Sequence, residues 1–208
     1  MKRFQSVFVI LFLLSGCQQT DSFDKTENLI EKENKDYGGE SMLTIDNYTN
    51  TIKNNLELNS YKLIEKLTEI HSLNFYSEVK LLDFSASLEP TRYELSIIMY
   101  SLDKEANEVF YEGDDSKVFA DSINVLEDIV YYQELTDQSD MFLEFYEQNE
   151  DEIIIAEQEV IKNWFVECWK KVNGKEVKLP SYLSFHDEYK SYDLMNNKWI
   201  IEDEMWSY

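Results

Sequence analysis

Glycine and proline are scarce: five and two in 208 residues. That excludes a low-complexity or loop-rich architecture and leaves little material for a phosphate-cradling glycine loop. Histidine and cysteine are equally rare, at two each. So few cysteines cannot build a disulfide framework. No H-E-x-x-H, C-x-x-C or G-x-S-x-G pattern occurs, which removes the usual zinc, thiol-redox and serine-hydrolase signatures. Basic residues are also few, 19 against 42 acids, for a formal net charge of −23. A chain this acidic repels nucleic-acid phosphate and anionic headgroups. It suits basic partners or cations, and it helps keep an exported protein in solution.

Apolar residues make up 43% and aromatics 14%. That is enough for a packed core, despite the charge, and too much for a disordered chain. Residues 42–208 are long enough for one globular domain. Residues 18–41 are polar and charged and close on Gly38-Gly39, the composition of a flexible tether.

The first 17 residues read MKRFQSVFVILFLLSGC. Lys2 and Arg3 form a short positive region. Val7 to Leu14 is an apolar run too short to span a bilayer. Leu14-Ser15-Gly16-Cys17 then resembles the lipobox of bacterial lipoprotein precursors. The resemblance implies that residues 1–16 are a signal peptide, that Cys17 carries diacylglycerol and further acyl chains after cleavage, and that the tether 17–41 holds the domain outside the cytoplasm, at the cell membrane or outer membrane. Each buried methylene would contribute ~0.8 kcal/mol to such an anchor. With Cys17 acylated, Cys168 has no partner for a disulfide.

Within the domain, spacing of Leu56, Tyr61, Ile64, Leu67 and Ile70 predicts a helix near 57–71, with Leu63 and Ile64 inward and His71 in its last turn. Alternation from Phe75 to Leu88, with one shift of phase, predicts a strand. Glu89-Pro90-Thr91 is a turn, Tyr93 to Tyr100 a second strand and Glu108 to Glu112 a third, forming an antiparallel meander. Residues 117–148 are ambiguous between helix and strand, with Met141, Phe142, Phe145 and Tyr146 favouring a short helical turn.

The strongest periodicity lies at 150–173. Ile153, Val160, Ile161, Trp164, Phe165, Cys168, Trp169 and Val172 make one apolar stripe. Glu157, Lys162, Asn163, Glu167, Lys170 and Lys171 are expected on the solvent side. Asn149 with Glu152 reads as a capping pair and Gly174 as the stop. Strand alternation returns at Tyr182 to His186, and a hairpin is expected over 189–201 around Asn196-Asn197. The expected class is α+β: an antiparallel sheet with helices on one face.

The chemistry-bearing residues do not assemble into a catalytic signature. Pairing Cys168 with His186 requires an exposed thiolate, whereas the stripe turns Cys168 inward. Gly113-Asp114-Asp115 and Glu150-Asp151-Glu152 lack the alternating acids of a calcium loop, so neither a metal nor a cofactor is expected.

From Trp164-Phe165 and Cys168-Trp169 through Gly174, Leu179-Pro180-Ser181-Tyr182, Phe185-His186-Asp187, Tyr192-Asp193-Leu194 and Lys198-Trp199-Ile200, the chain resembles small bacterial proteins of the polymorphic-toxin immunity type. The resemblance implies a non-catalytic domain that blocks a basic, envelope-acting protein, with His186, Asp187 and Asp193 as its polar contacts. Two other functions fit the composition. One is a solute- or polymer-binding lipoprotein using Tyr and Trp as stacking platforms. The other is an envelope enzyme with a carboxylate pair, though no particular pair stands out.

Overall fold

The computed structural model describes residues 43–133, 139–186 and 188–205. Cys17, the tether, Asp187 and Trp206 lie outside the described residues. The domain is α+β: a six-stranded sheet with helices packed against it.

Helix α1, Ile45–Leu58, starts where the Thr44 side chain accepts the Asn47 N–H at 3.2 Å. It buries Tyr48, Ile52 and Leu56, one per turn. The chain breaks at Asn59 and resumes as α2, Ser60–His71, which buries Leu63, Leu67 and Ile70. The helix expected near 57–71 is α2, and a separate helix, α1, precedes it. Leu56 and Leu63 are seven residues apart, so the buried stripe keeps nearly the same phase across the break. Ile64 is only half-buried, beside the fully buried Leu63.

The strand expected from Phe75 to Leu88 is divided into β1, Asn74–Phe75, and β2, Leu81–Glu89, and the shift of phase falls where Leu81 and Leu82 are both buried. Strand β3, Glu94–Leu102, pairs antiparallel with β2 along its whole length. The four-residue turn between them ends on Tyr93 at φ 53°.

The expected third strand at 108–112 does not form. The Asp103 carboxylate accepts the Glu105 and Asn107 N–H groups at 2.8 and 2.9 Å and reverses the chain. One bridge, Leu102 to Glu108, follows. The place beside β3 belongs instead to β5, Ile123–Val130, which settles part of the ambiguous stretch as strand. Its alternation is masked by two register shifts and by Asp128 at φ 48°, whose N–H donates to Ser96 Oγ. Short β4, Val118–Phe119, pairs parallel with β1.

Helices α3, Ser139–Gln148, and α4, Glu150–Lys171, lead to β6, Ser181–Phe185, and then β7, Lys190–Asp193, and β8, Lys198–Ile201. The strand order is β5-β3-β2-β6-β7-β8. Every neighbour pair in it is antiparallel except β2 with β6. That parallel pair needs a long crossover, which the helices supply.

Phe84, Ala86, Ile97, Met99, Leu183 and Phe185 face the helices. Phe165 and Trp169 of α4 press on Phe84 with centroids 5.2 and 5.5 Å away. On the opposite face Leu81, Tyr182 and Ile200 form a small second cluster with Met205 of the single-turn α5, Glu202–Met205.

Two residues expected on the solvent side of α4 are buried: Glu157 is 4% and Lys162 8% exposed. The helix is flanked by α1 and α2 as well as the sheet, so its buried arc is wider than one stripe. Asn149 makes no side-chain cap; its amide donates to the Phe145 carbonyl at 2.7 Å. The left-handed residue after α4 is Asn173 at φ 54°, not Gly174.

Candidate functional site

Of the residues singled out from sequence, the described pair His186 and Asp193 does not converge. Asp193 is buried and occupied by its own turn. Its Oδ1 accepts the Met195 and Asn196 N–H groups, each at 2.9 Å, and its Oδ2 accepts the Asn196 side chain at 2.7 Å. His186 is exposed just beyond β6, with its backbone N–H on the Ala86 carbonyl at 2.9 Å. Since Tyr182 pairs with Asp193, His186 stands at the other end of the β6–β7 ladder, four strand positions or roughly 13 Å along. Cys168 is buried, and burial pushes its thiol up despite a hydrogen bond from Ser60. That is the setting of an inert core cysteine. Among the described residues no group of three or more His, Cys, Asp or Glu is placed to hold a metal ion, and no helix is long and apolar enough to cross a membrane.

The domain carries a surface aromatic cluster between α4 and the β7–β8 hairpin. Tyr192 and Trp199 pair across the ladder with rings 5.4 Å apart at 81°, and Phe185 lies 6.3 Å from Trp199. The strands alternate, so both rings point toward α4. There the helix presents Glu159 and Lys162, neighbours on one helical face.

Glu159 joins the parts. Its Oε1 accepts the Trp199 indole N–H at 2.9 Å, and its Oε2 meets Lys162 Nζ at 2.6 Å. Lys162 Nζ sits 5.1 Å from the Tyr192 ring centre and 6.0 Å from that of Trp199. A buried cation is tolerable here because it has both a carboxylate and two ring faces.

Outside this frame is a cleft of about 270 Å³ lined by Ile155, Gln158, Glu159, Glu188, Lys190 and Trp199. Gln158 Nε2 donates to Glu188 Oε1 at 3.1 Å across its mouth. Tyr189, 61% exposed, carries Lys190 Nζ 5.2 Å above its ring. Two acids, Glu159 and Glu188, and one base, Lys190, line the cleft, and Lys162 pairs with Glu159 from behind.

Helical spacing places Lys162 on the solvent side and does not distinguish Glu159 from the other acids of α4, so this site is not legible in the sequence. The available signal was Trp199 on a strand too short and too near an edge for a core tryptophan. No family model, curated protein or solved structure matches the chain, which leaves the geometry of the cleft as the guide to its chemistry.

Proposed function

We propose that the domain is a non-catalytic binding module, held outside the cytoplasm by lipid on Cys17, that seats a neutral hydroxylated solute, or one unit of a polymer of such units, in the Trp199 cleft. The supporting observation is the Trp199 indole held by Glu159 while Glu159 is itself held by Lys162. A ring fixed before the ligand arrives loses little entropy on binding. It offers an apolar face for the C–H side of a ligand. The amide and carboxylate groups of Gln158 and Glu188 are placed to meet hydroxyls around it. With Glu159 paired to Lys162, Glu188 and Lys190 leave neither sign in clear excess, which favours an uncharged ligand.

The volume suits a single ring-sized unit, being slightly below the range of drug-sized pockets. A polymer would run on past Tyr189 and Ile155, which are both largely exposed.

The test is a titration of the full chain with neutral oligosaccharides, followed by tryptophan fluorescence and calorimetry. Saturable binding that Trp199→Ala abolishes supports the proposal. Binding that survives Trp199→Ala, or no binding across a broad panel, defeats it. Recovery of a basic protein at low salt but not high salt would instead support the inhibitor role that the immunity-type resemblance implies.

A further inference from the structure

Glu157 is a buried carboxylate that the cleft does not use. It lies two residues before Glu159 on α4, hence on nearly the opposite side of the helix. The Tyr48 hydroxyl of α1 donates to its Oε1. Around this pair is a nest of rings. Tyr48 meets Tyr132 at 4.6 Å and Phe142 at 5.5 Å. Tyr132 stacks on Phe142 at 5.0 Å and 21°, and Tyr93 closes the nest 5.9 Å from Phe142.

The groups facing Glu157 come from each element packed against it: Tyr48 from α1, Tyr131 after β5 and Tyr146 from α3. Further out, Glu150 bears on Tyr146, and Tyr93 and Glu89 bear on Tyr131. All of these are acids or phenols, so among the described residues an ionised Glu157 meets no cation. Burial raises its carboxyl to about 7, against the pull of the Tyr48 hydrogen bond. The same burial drives the Tyr48 and Tyr131 phenols well above their ordinary value.

Helix α3 is seated by this nest. Phe142 is 2% exposed, and Phe145 and Tyr146 are half-buried against the same rings. Met141 and Leu143, on its other side, are 63% and 57% exposed. Those two add nothing to its seating.

We propose that Glu157 and the tyrosines around it form a proton-operated latch on α3, in which the neutral acid keeps the helix seated and ionisation unseats it. A carboxylate buried with one hydrogen bond and no cation gains by reaching water. Displacing α3 opens the shortest way, because α3 contributes Phe142 and Tyr146 to the lid. The unseated state uncovers Tyr132, Phe142 and Phe145, an apolar surface that the neutral state hides. This device is independent of the Trp199 cleft.

Hydrogen exchange of the full chain at pH 5.5 and 8.5, corrected for intrinsic rates, tests it alongside a carboxyl carbon titration of Glu157. Amide protection in α3 is expected to fall about tenfold or more relative to β2 and β3 as pH rises. Glu157→Gln should remove that fall. Tyr48→Phe should move the midpoint to higher pH, because the lost hydrogen bond favours the charged form. A pH response shared equally by α3 and the strands overturns the latch, as does an unchanged response in Glu157→Gln. If Glu157→Gln does not fold, the Tyr48→Phe midpoint decides: one that stays or falls sinks the idea.

Discussion

The Trp199 indole N–H donates to Glu159 Oε1 at 2.9 Å, tying an edge strand to the central helix across 40 residues of chain. The other Glu159 oxygen is engaged by Lys162, so the carboxylate cannot follow the ring if the hairpin shifts. Losing the ring and losing its brace should therefore have different signatures. Trp199→Ala should abolish saturable ligand binding, because the stacking face is lost. Glu159→Ala should weaken binding and also cost about 1–3 kcal/mol of stability, because Lys162 is left buried without its carboxylate. Calorimetry and urea unfolding separate the two effects; equal stability loss in both variants would contradict the brace.

Glu157 makes stability depend on pH. Its carboxyl titrates near 4.5 when unfolded and at about 7 when folded. Between those values the folded chain keeps a proton that the unfolded chain has released. The contribution is fully present below pH 4.5 and is lost as pH rises through 7. Its size is on the order of 3 kcal/mol. Glu157→Gln should flatten the stability profile in that window, as measured by denaturant unfolding at half-unit steps of pH. An undiminished slope in the variant would assign the effect to other groups.

Gly174 is where space, not backbone conformation, demands glycine. A Cβ there would lie 2.1 Å from the Trp169 ring. Gly174→Ala should cost roughly 1–3 kcal/mol by overpacking, and Trp169→Ala roughly 3–5 kcal/mol by cavity formation. The double variant should lose less than the sum, since the second change relieves the first. Strict additivity in urea melts would show that the ring and the glycine do not conflict.

Asp193→Ala removes the carboxylate that accepts two backbone N–H groups in the β7–β8 turn. A loss of about 1–2 kcal/mol is expected. Asp193 and Trp199 point to opposite faces of the sheet, so affinity at the cleft should be unchanged in the folded variant. A thermal melt paired with one titration checks both halves.

Cys17→Ser should release the chain from the membrane fraction, since anchoring is expected to rest on acyl chains at that thiol. Fractionation after carbonate washing reads this directly. Native protein carrying an intact Met1, or a free thiol at position 17, would remove the anchor altogether.

Local patterns were legible where burial follows one periodicity. Helix α4 was readable because Trp164, Phe165, Cys168 and Trp169 recur on one side, and the β7–β8 hairpin because Asn196-Asn197 separates two alternating runs. Strand β5 was not, since its register shifts and the left-handed Asp128 break the period of two. Segment 108–112 looked like a strand because Val109 and Tyr111 do pack inward, yet sheet pairing needs a partner edge, and β5 occupies it.

By itself, then, the amino-acid order determined the α+β class, the long central helix, the tail hairpin and the inward Cys168. Each follows from side chains a few residues apart, whose spacing is set by helix or strand geometry. Only the tertiary structure decided that β6 runs parallel beside β2, that Lys162 and Glu157 leave solvent, and that Glu159 braces Trp199. Those depend on which elements flank α4. A charged residue stays in water or is buried according to partners that lie tens of residues away in the chain.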